Sequence, residues 1–142
     1  MSAPAVRVHD RRSSPATFVE EVLQGLAARP KRIAPKYFYD ERGSRLFDAI
    51  CELPEYYPTR TEMAILESCA DEVARLAGPG CTLIELGSGA SRKIRLLLET
   101  LRPRHYLGVD ISREFLIESA RRLAADYPWL EVHAACADFS QE

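Results

Sequence analysis

Two rhythms of hydrophobic and polar residues divide the chain near Gly80. Before it, apolar residues recur at three- and four-residue spacing, the period of a helix with one buried face. SSPATFVEEVLQGLAARP (residues 13–30) predicts a helix. Ser14 can cap it, Pro15 suits its first turn, Phe18, Val22, Leu23 and Leu26 form one stripe, and Pro30 closes it. SRLFDAICEL predicts a second, shorter helix with Leu46, Phe47 and Ile50 inward. Thr59 and Glu62 have capping-box spacing and predict a third helix, through Met63, Leu66, Ala70 and Val73 to Gly78. Between these lie two tyrosine-rich loops, KRIAPKYFYDERGS and PEYYPTRTE. Residues 1–14 are expected to be disordered, and 15–79 to form a helical segment with the two loops. After Gly80 short apolar runs alternate with amphipathic ones: CTLIELG, SRKIRLLLETL, HYLGVDIS, REFLIESARRLAADY with Ser112 as cap, and LEVHAACADFS. The order β-α-β-α-β over residues 80–142 predicts a parallel sheet wound with helices.

Length and composition narrow the class without naming the chemistry. The 142 residues suit one domain or part of one, and 46% hydrophobic with 28% charged residues is ordinary for a globular protein. A net charge of −2 argues against a general nucleic-acid or membrane-surface binder. Residues 1–45 carry nine basic and five acidic side chains, which reads as a solvated face. Cys51, Cys69, Cys81 and Cys136 form no C-x-x-C pair, and with His9, His105 and His133 they offer no zinc spacing, so no metal is expected. No 18-residue apolar run and no signal-like leader is present, so the expected location is the cytoplasm.

Ligands of such sheets sit outside the carboxyl ends of the strands. Those ends carry ELGSG, VDIS and ADFS here. Gly87 and Gly89 let the backbone approach a ligand closely. Asp110, 21 residues beyond Gly89, is placed to accept from the two hydroxyls of a ribose. Both features fit NAD and S-adenosylmethionine equally. A dinucleotide turn wants a third small residue for its pyrophosphate, and that position holds Arg92. Glu85 favours a cationic ligand group nearby, and Lys93 in the first helical turn can meet a carboxylate. Asp138 can accept from the adenine amine, and Phe139 can pack beside the ring. Together these favour the methyl donor over the dinucleotide. Each also has a plainer reading: Glu85 paired with a neighbouring base, Lys93 solvated, Asp110 capping the next helix, Phe139 in the core.

Four longer strings add a family. PKYFYD (Pro35–Asp40), GSRLFD (Gly43–Asp48), LPEYYPTRTE (Leu53–Glu62) and ELGSGASRK (Glu85–Lys93) together resemble the histidine-specific methyltransferases of ergothioneine biosynthesis, from about residue 15 to the end. The resemblance implies a Rossmann-like, class I S-adenosylmethionine-dependent methyltransferase fold, α/β, with an N-terminal helical segment. It implies N-methylation of the α-amino group of L-histidine, some relatives taking other amino acids. Tyr56 would contact the substrate and Tyr39 lie near donor or substrate; Gly87, Lys93, Asp110, Asp138 and Phe139 would hold the donor. No general base is assigned. The family's sheet continues past its third strand, in the order 3-2-1-4-5, so TLIEL is expected as an exposed apolar edge. The chain is expected to be a truncated form, a fragment or one part of a split gene. A second chain would complete the sheet, and the isolated chain would bind donor weakly without methylating histidine. The competing readings are an NAD-type oxidoreductase and a non-enzymatic interaction module using the open edge.

Overall fold

A computed structural model describes residues 6–11 and 15–139. In chain order the elements are β1 (Arg7–Arg11), α1 (Pro15–Ala27), a 3-10 turn (Pro35–Phe38), α2 (Glu41–Cys51), α3 (Pro58–Ala77), β2 (Thr82–Leu86), α4 (Arg92–Leu101), β3 (His105–Asp110), α5 (Arg113–Asp126) and β4 (Glu131–Ala137). The four strands make one parallel sheet in the order β1-β4-β3-β2. The three strands expected after Gly80 are therefore present, adjacent and in the expected order.

The core lies on one face of that sheet. Tyr106 of β3 and Val132, Ala134 and Cys136 of β4 pack with Leu116, Ala120, Leu123 and Ala124 of α5 and with Ile94 and Leu98 of α4. Two successive right-handed crossovers that step the same way along a sheet put both helices on the same side. The strand sequences fit this: β4 buries alternate residues fully and their neighbours only partly, and β3 does the same from His105 to Gly108. On the other face of β2, Ile84 and Leu86 are 57% and 62% exposed. No other described strand pairs with the outer side of β2, so TLIEL is the apolar edge that the sequence pattern predicts.

Three expectations for the first half need correction. Residues 7–11 fall within the stretch expected to be disordered, but they form β1. Their side chains are exposed, so no burial pattern announces the strand; cross-strand contacts hold it. Arg7 pairs with Glu131 at 3.3 Å, His9 and His133 share a hydrogen bond at 3.2 Å, and Arg113 reaches Asp10 at 3.2 Å. Residues 1–5 and 12–14, with the Ser14 cap, lie outside the described residues.

The second correction concerns α1 and α2, whose apolar stripes do not face inward. Phe18, Leu23 and Leu26 are exposed, as are Leu46, Phe47 and Ile50, while Ser44 is the buried residue of α2. Polar contacts set the angle of α2 instead. The Asp40 carboxylate accepts from the Gly43 amide at 2.7 Å, and Arg45 bridges to Glu118 of α5 at 3.1 Å. Gly43 is required here, because a Cβ would fall 1.6 Å from the Phe38 carbonyl oxygen.

The third correction concerns the start of α3. It begins at Pro58, one residue before Thr59, with Tyr57 at the N-cap and no side-chain cap. Proline needs no partner for its missing N–H at a first helical turn, so the capping box is pre-empted and Glu62 is released for another contact. The predicted stripe is correct: Ala70 is buried, Met63, Leu66 and Val73 are half-buried, and α3 packs on α4.

Two substitutions test this layout. Leu123→Ala empties a fully buried site in the core and is expected to cost roughly 2–5 kcal/mol by urea denaturation. Ile84→Lys is expected to leave stability within about 0.5 kcal/mol while reducing concentration-dependent association in sedimentation.

Candidate active site

Three strand ends converge because the strands are parallel and in register. Leu86 pairs with Val109, and Asp110 pairs with Cys136. The turn after β2, the carboxylate ending β3 and the residues after β4 therefore open on one cavity of about 460 Å³. That lies within the range of small-molecule sites, roughly 300–1,000 Å³. The N-terminal segment forms the facing wall with Lys36, Tyr39, Phe47, Asp48, Tyr56 and Glu62.

The glycine turn is held tightly from below. Gly87 and Gly89 have φ of 70° and 49°, a left-handed backbone that glycine adopts without penalty. Ser91 shares that conformation at φ 53° and is braced on both sides. Its amide donates to the Ser88 carbonyl at 2.8 Å, and its hydroxyl lies 3.3 Å from the Tyr106 hydroxyl. The Gly87 and Ser88 amides both donate to the Val109 carbonyl, at 2.8 and 3.1 Å. The Gly89 amide donates to Asp110 Oδ2 at 2.9 Å. Four amides of this turn are thus engaged within the protein. A turn that cradles pyrophosphate presents such amides to the ligand instead. The positive side chains that follow are also matched: Arg92 pairs with Glu52, and Lys93 with Glu62 at 3.0 Å.

Asp110 serves both sides of this arrangement. Its Oδ1 accepts from the Ser112 amide at 3.0 Å and starts α5, where the Ser112 hydroxyl makes no cap bond of its own. A carboxylate has about four acceptor sites, so Asp110 can take further donors from the cavity it lines. Phe139 lies over the turn, its ring edge 3.8 Å from where a Gly87 Cβ would be. A flat ring, a carboxylate at the end of β3 and a donor-poor glycine turn suit a nucleoside without a phosphate.

The structure gathers Gly87, Gly89, Lys93, Asp110, Asp138, Phe139, Tyr39 and Tyr56 on the cavity wall. Tyr39 and Tyr56 flank Phe47 edge-on, with centroids at 6.0 and 5.9 Å. Arg60 fixes the second tyrosine loop by donating to the carbonyls of Leu53 and Pro54 at 2.9 and 2.6 Å. Glu85 is the exception. It lies behind the turn and off the cavity wall, its carboxylate accepting from the Tyr106 hydroxyl at 2.7 Å. The alternation of β2 points Glu85 toward Tyr106, off the cavity wall. Burial pushes its carboxyl above the usual range, partly offset by the Tyr106 hydrogen bond and the Lys93 charge. Burial and the Glu85 charge raise the Tyr106 hydroxyl likewise.

Sequence reasoning missed Lys36. Burial works against its charge, but hydrogen bonds from its ammonium to Asp138 and Glu21 outweigh that and hold its pKa above the usual lysine range. Its partner Asp138 is 102 residues away, a separation that no local spacing encodes. Glu62 was missed as the partner of Lys93, and Tyr106 as the brace beneath the turn.

A family model described as histidine-specific methyltransferase, SAM-dependent, matches residues 18–142. A histidine N-alpha-methyltransferase of Mycolicibacterium smegmatis is 45% identical over 125 residues, 85% of this chain and 39% of that protein. A 4-dimethylallyltryptophan N-methyltransferase of Claviceps purpurea is 30% identical over 126 residues, 84% and 37% of the respective chains. The ergothioneine biosynthesis protein 1 of Neurospora crassa is 43% identical over 91 residues, 61% and 10% of the respective chains. The chain spans about two-fifths of the length of the first of these.

The buried position of Glu85 gives a pH prediction. Its folded pKa lies above the ordinary 4.5, so the protonated form contributes stability at low pH that is lost as pH rises through the folded value. Glu85→Gln keeps an acceptor for Tyr106 and removes the charge. It is expected to melt above wild type at neutral pH, the gain fading below pH 4.5. Equal melting temperatures across the range contradict the burial.

Proposed function

Because the chain belongs to the S-adenosylmethionine-dependent histidine-specific methyltransferases, we propose that it holds S-adenosylmethionine at the glycine turn and serves N-methylation of the α-amino group of L-histidine in ergothioneine biosynthesis. The observation that carries the donor is the turn itself: Gly87, Ser88 and Gly89 spend their amides on Val109 and Asp110, leaving an open backbone beside carboxylates and no anion cradle. The histidine substrate rests on the matched relatives named for it and on the two tyrosine loops that face the donor side. The cytoplasm is the proposed setting, and the four cysteines form no disulfide among the described residues. Among those residues no helix is long and apolar enough to cross a membrane.

When bound, the donor supplies an electrophilic methyl group on a sulfonium that is itself a good leaving group. The chain's own residues then bind, orient and exclude water. Asp110 would accept from the ribose hydroxyls while keeping the Gly89 amide. Asp138 would accept from the adenine amine, and Phe139, on the same cavity wall, would cover the ring. Lys93, with its charge shared by Glu62, would meet the carboxylate of the amino-acid end. Tyr39 and Tyr56 present hydroxyls that can accept from the substrate amine. Holding an amine lone pair in line with the methyl group is the main catalytic requirement, since orientation alone removes much of the barrier. The amine must be neutral before each transfer, and no side chain of the cavity is assigned as its base.

Calorimetry separates the donor from its rival. S-adenosylhomocysteine is expected to bind at one site per chain, and NAD to give no heat; the reverse result overturns the reading. Asp110→Asn leaves one of two amides without its acceptor and is expected to weaken binding by about tenfold or more. Binding of histidine in preference to tryptophan in the presence of S-adenosylhomocysteine supports the substrate, and preference for tryptophan overturns it.

A further inference from the structure

Lys36 joins α1 to the residues after β4. Its ammonium lies 2.7 Å from Glu21 Oε2 on α1 and 2.7 Å from Asp138 Oδ2 after β4. The Tyr37 hydroxyl donates to Glu21 Oε2 at 2.7 Å, and Phe18 meets the Tyr37 ring edge-on at 4.7 Å. The Lys36 and Asp138 side chains are only 15% and 10% exposed.

The bridge sits between the two halves of the cavity. Asp138 belongs to the donor side. Tyr39, three residues after Lys36, belongs to the substrate side, and all three line the same space. We infer that Lys36 is a positioning residue that couples donor binding at Asp138 to the order of the tyrosine segment, residues 15–39, through its simultaneous ion pairs with Asp138 and Glu21. The inference rests on the proposed donor reading. A ligand that needs the Asp138 orientation set by Lys36 stabilises the bridged arrangement. By reciprocity the bridged arrangement then binds that ligand more tightly. Binding of the donor therefore tightens the loop that presents Tyr39, and the substrate side is ordered after the donor is in place. A lysine suits this role because three donors on one ammonium can serve both carboxylates at once.

The test combines S-adenosylhomocysteine calorimetry with hydrogen exchange over residues 15–39, with and without that ligand. In the wild-type chain the ligand is expected to slow exchange in this segment. Lys36→Met keeps the aliphatic stem but leaves the Asp138 charge partly buried without its ammonium. It is expected to bind about tenfold more weakly and to lose the ligand-induced protection. Lys36→Arg, which restores a bridging cation, is expected to recover most of both. Glu21→Gln breaks the far end of the bridge outside the cavity wall and is expected to lose the protection with a smaller loss of affinity. Circular dichroism shows whether each variant folds. Should Lys36→Met unfold, full ligand-induced protection in Glu21→Gln overturns the inference. A wild-type chain that binds no S-adenosylhomocysteine overturns the functional reading and the inference with it. A wild-type chain that binds, alongside a folded Lys36→Met that binds and protects equally, overturns the inference alone.

Discussion

The Asp110 carboxylate spans the end of β3, the start of α5 and the glycine turn after β2. One oxygen accepts from Ser112 and the other from Gly89. Those bonds fix the turn against the sheet and consume an amide that a phosphate would otherwise use. They also keep the carboxylate at the mouth of the cavity with acceptor capacity in reserve. The Gly87 and Ser88 amides go to the Val109 carbonyl one residue earlier, so a single strand end organises the start of the loop. The proposed phosphate-free nucleoside rests on this wiring more directly than on the identity of any one glycine.

Two ion pairs bracket the cavity that this wiring creates. Lys93 with Glu62 closes the α3–α4 side, and Lys36 with Asp138 closes the side beneath α1. Each joins the N-terminal segment to the glycine-turn and strand-end side of the sheet. Helices α1 and α2 leave much of their apolar stripes exposed and are placed by polar contacts, with Asp40, Arg45 and Glu21 at the junctions. Such contacts contribute modestly to stability, but they set angles, and angles decide where Tyr39 and Tyr56 stand.

How much of this was legible in the sequence follows from the range of each interaction. The short apolar runs, the glycine string and the acidic strand ends are local patterns, and they located the sheet and the turn and set Asp110 and Asp138 at the strand ends. The exposed edge at TLIEL followed from strand order. The strand at residues 7–11 was not legible, because its side chains are all exposed and its partners on β4 and α5 are far along the chain. The orientation of α2 was misread because its stripe implies burial, while Gly43 and Arg45 impose another angle. The capping box at Thr59 yielded to Pro58 one residue earlier. Glu85 reads as a ligand group by spacing from Gly87, but the pleat turns it to Tyr106. Lys36 sits within PKYFYD, and nothing nearby announces that its partner is Asp138.

The central claim is that one ligand, a phosphate-free adenosyl compound, occupies the cavity between the glycine turn and the tyrosine loops. The most direct measurement is a nuclear magnetic resonance titration of the labelled chain with S-adenosylhomocysteine. Backbone amide shifts are expected at Gly87, Gly89, Asp110, Asp138 and Phe139, with smaller shifts at Tyr39 and Tyr56. Shifts confined to the exposed β2 edge, or none at saturating ligand, contradict the account.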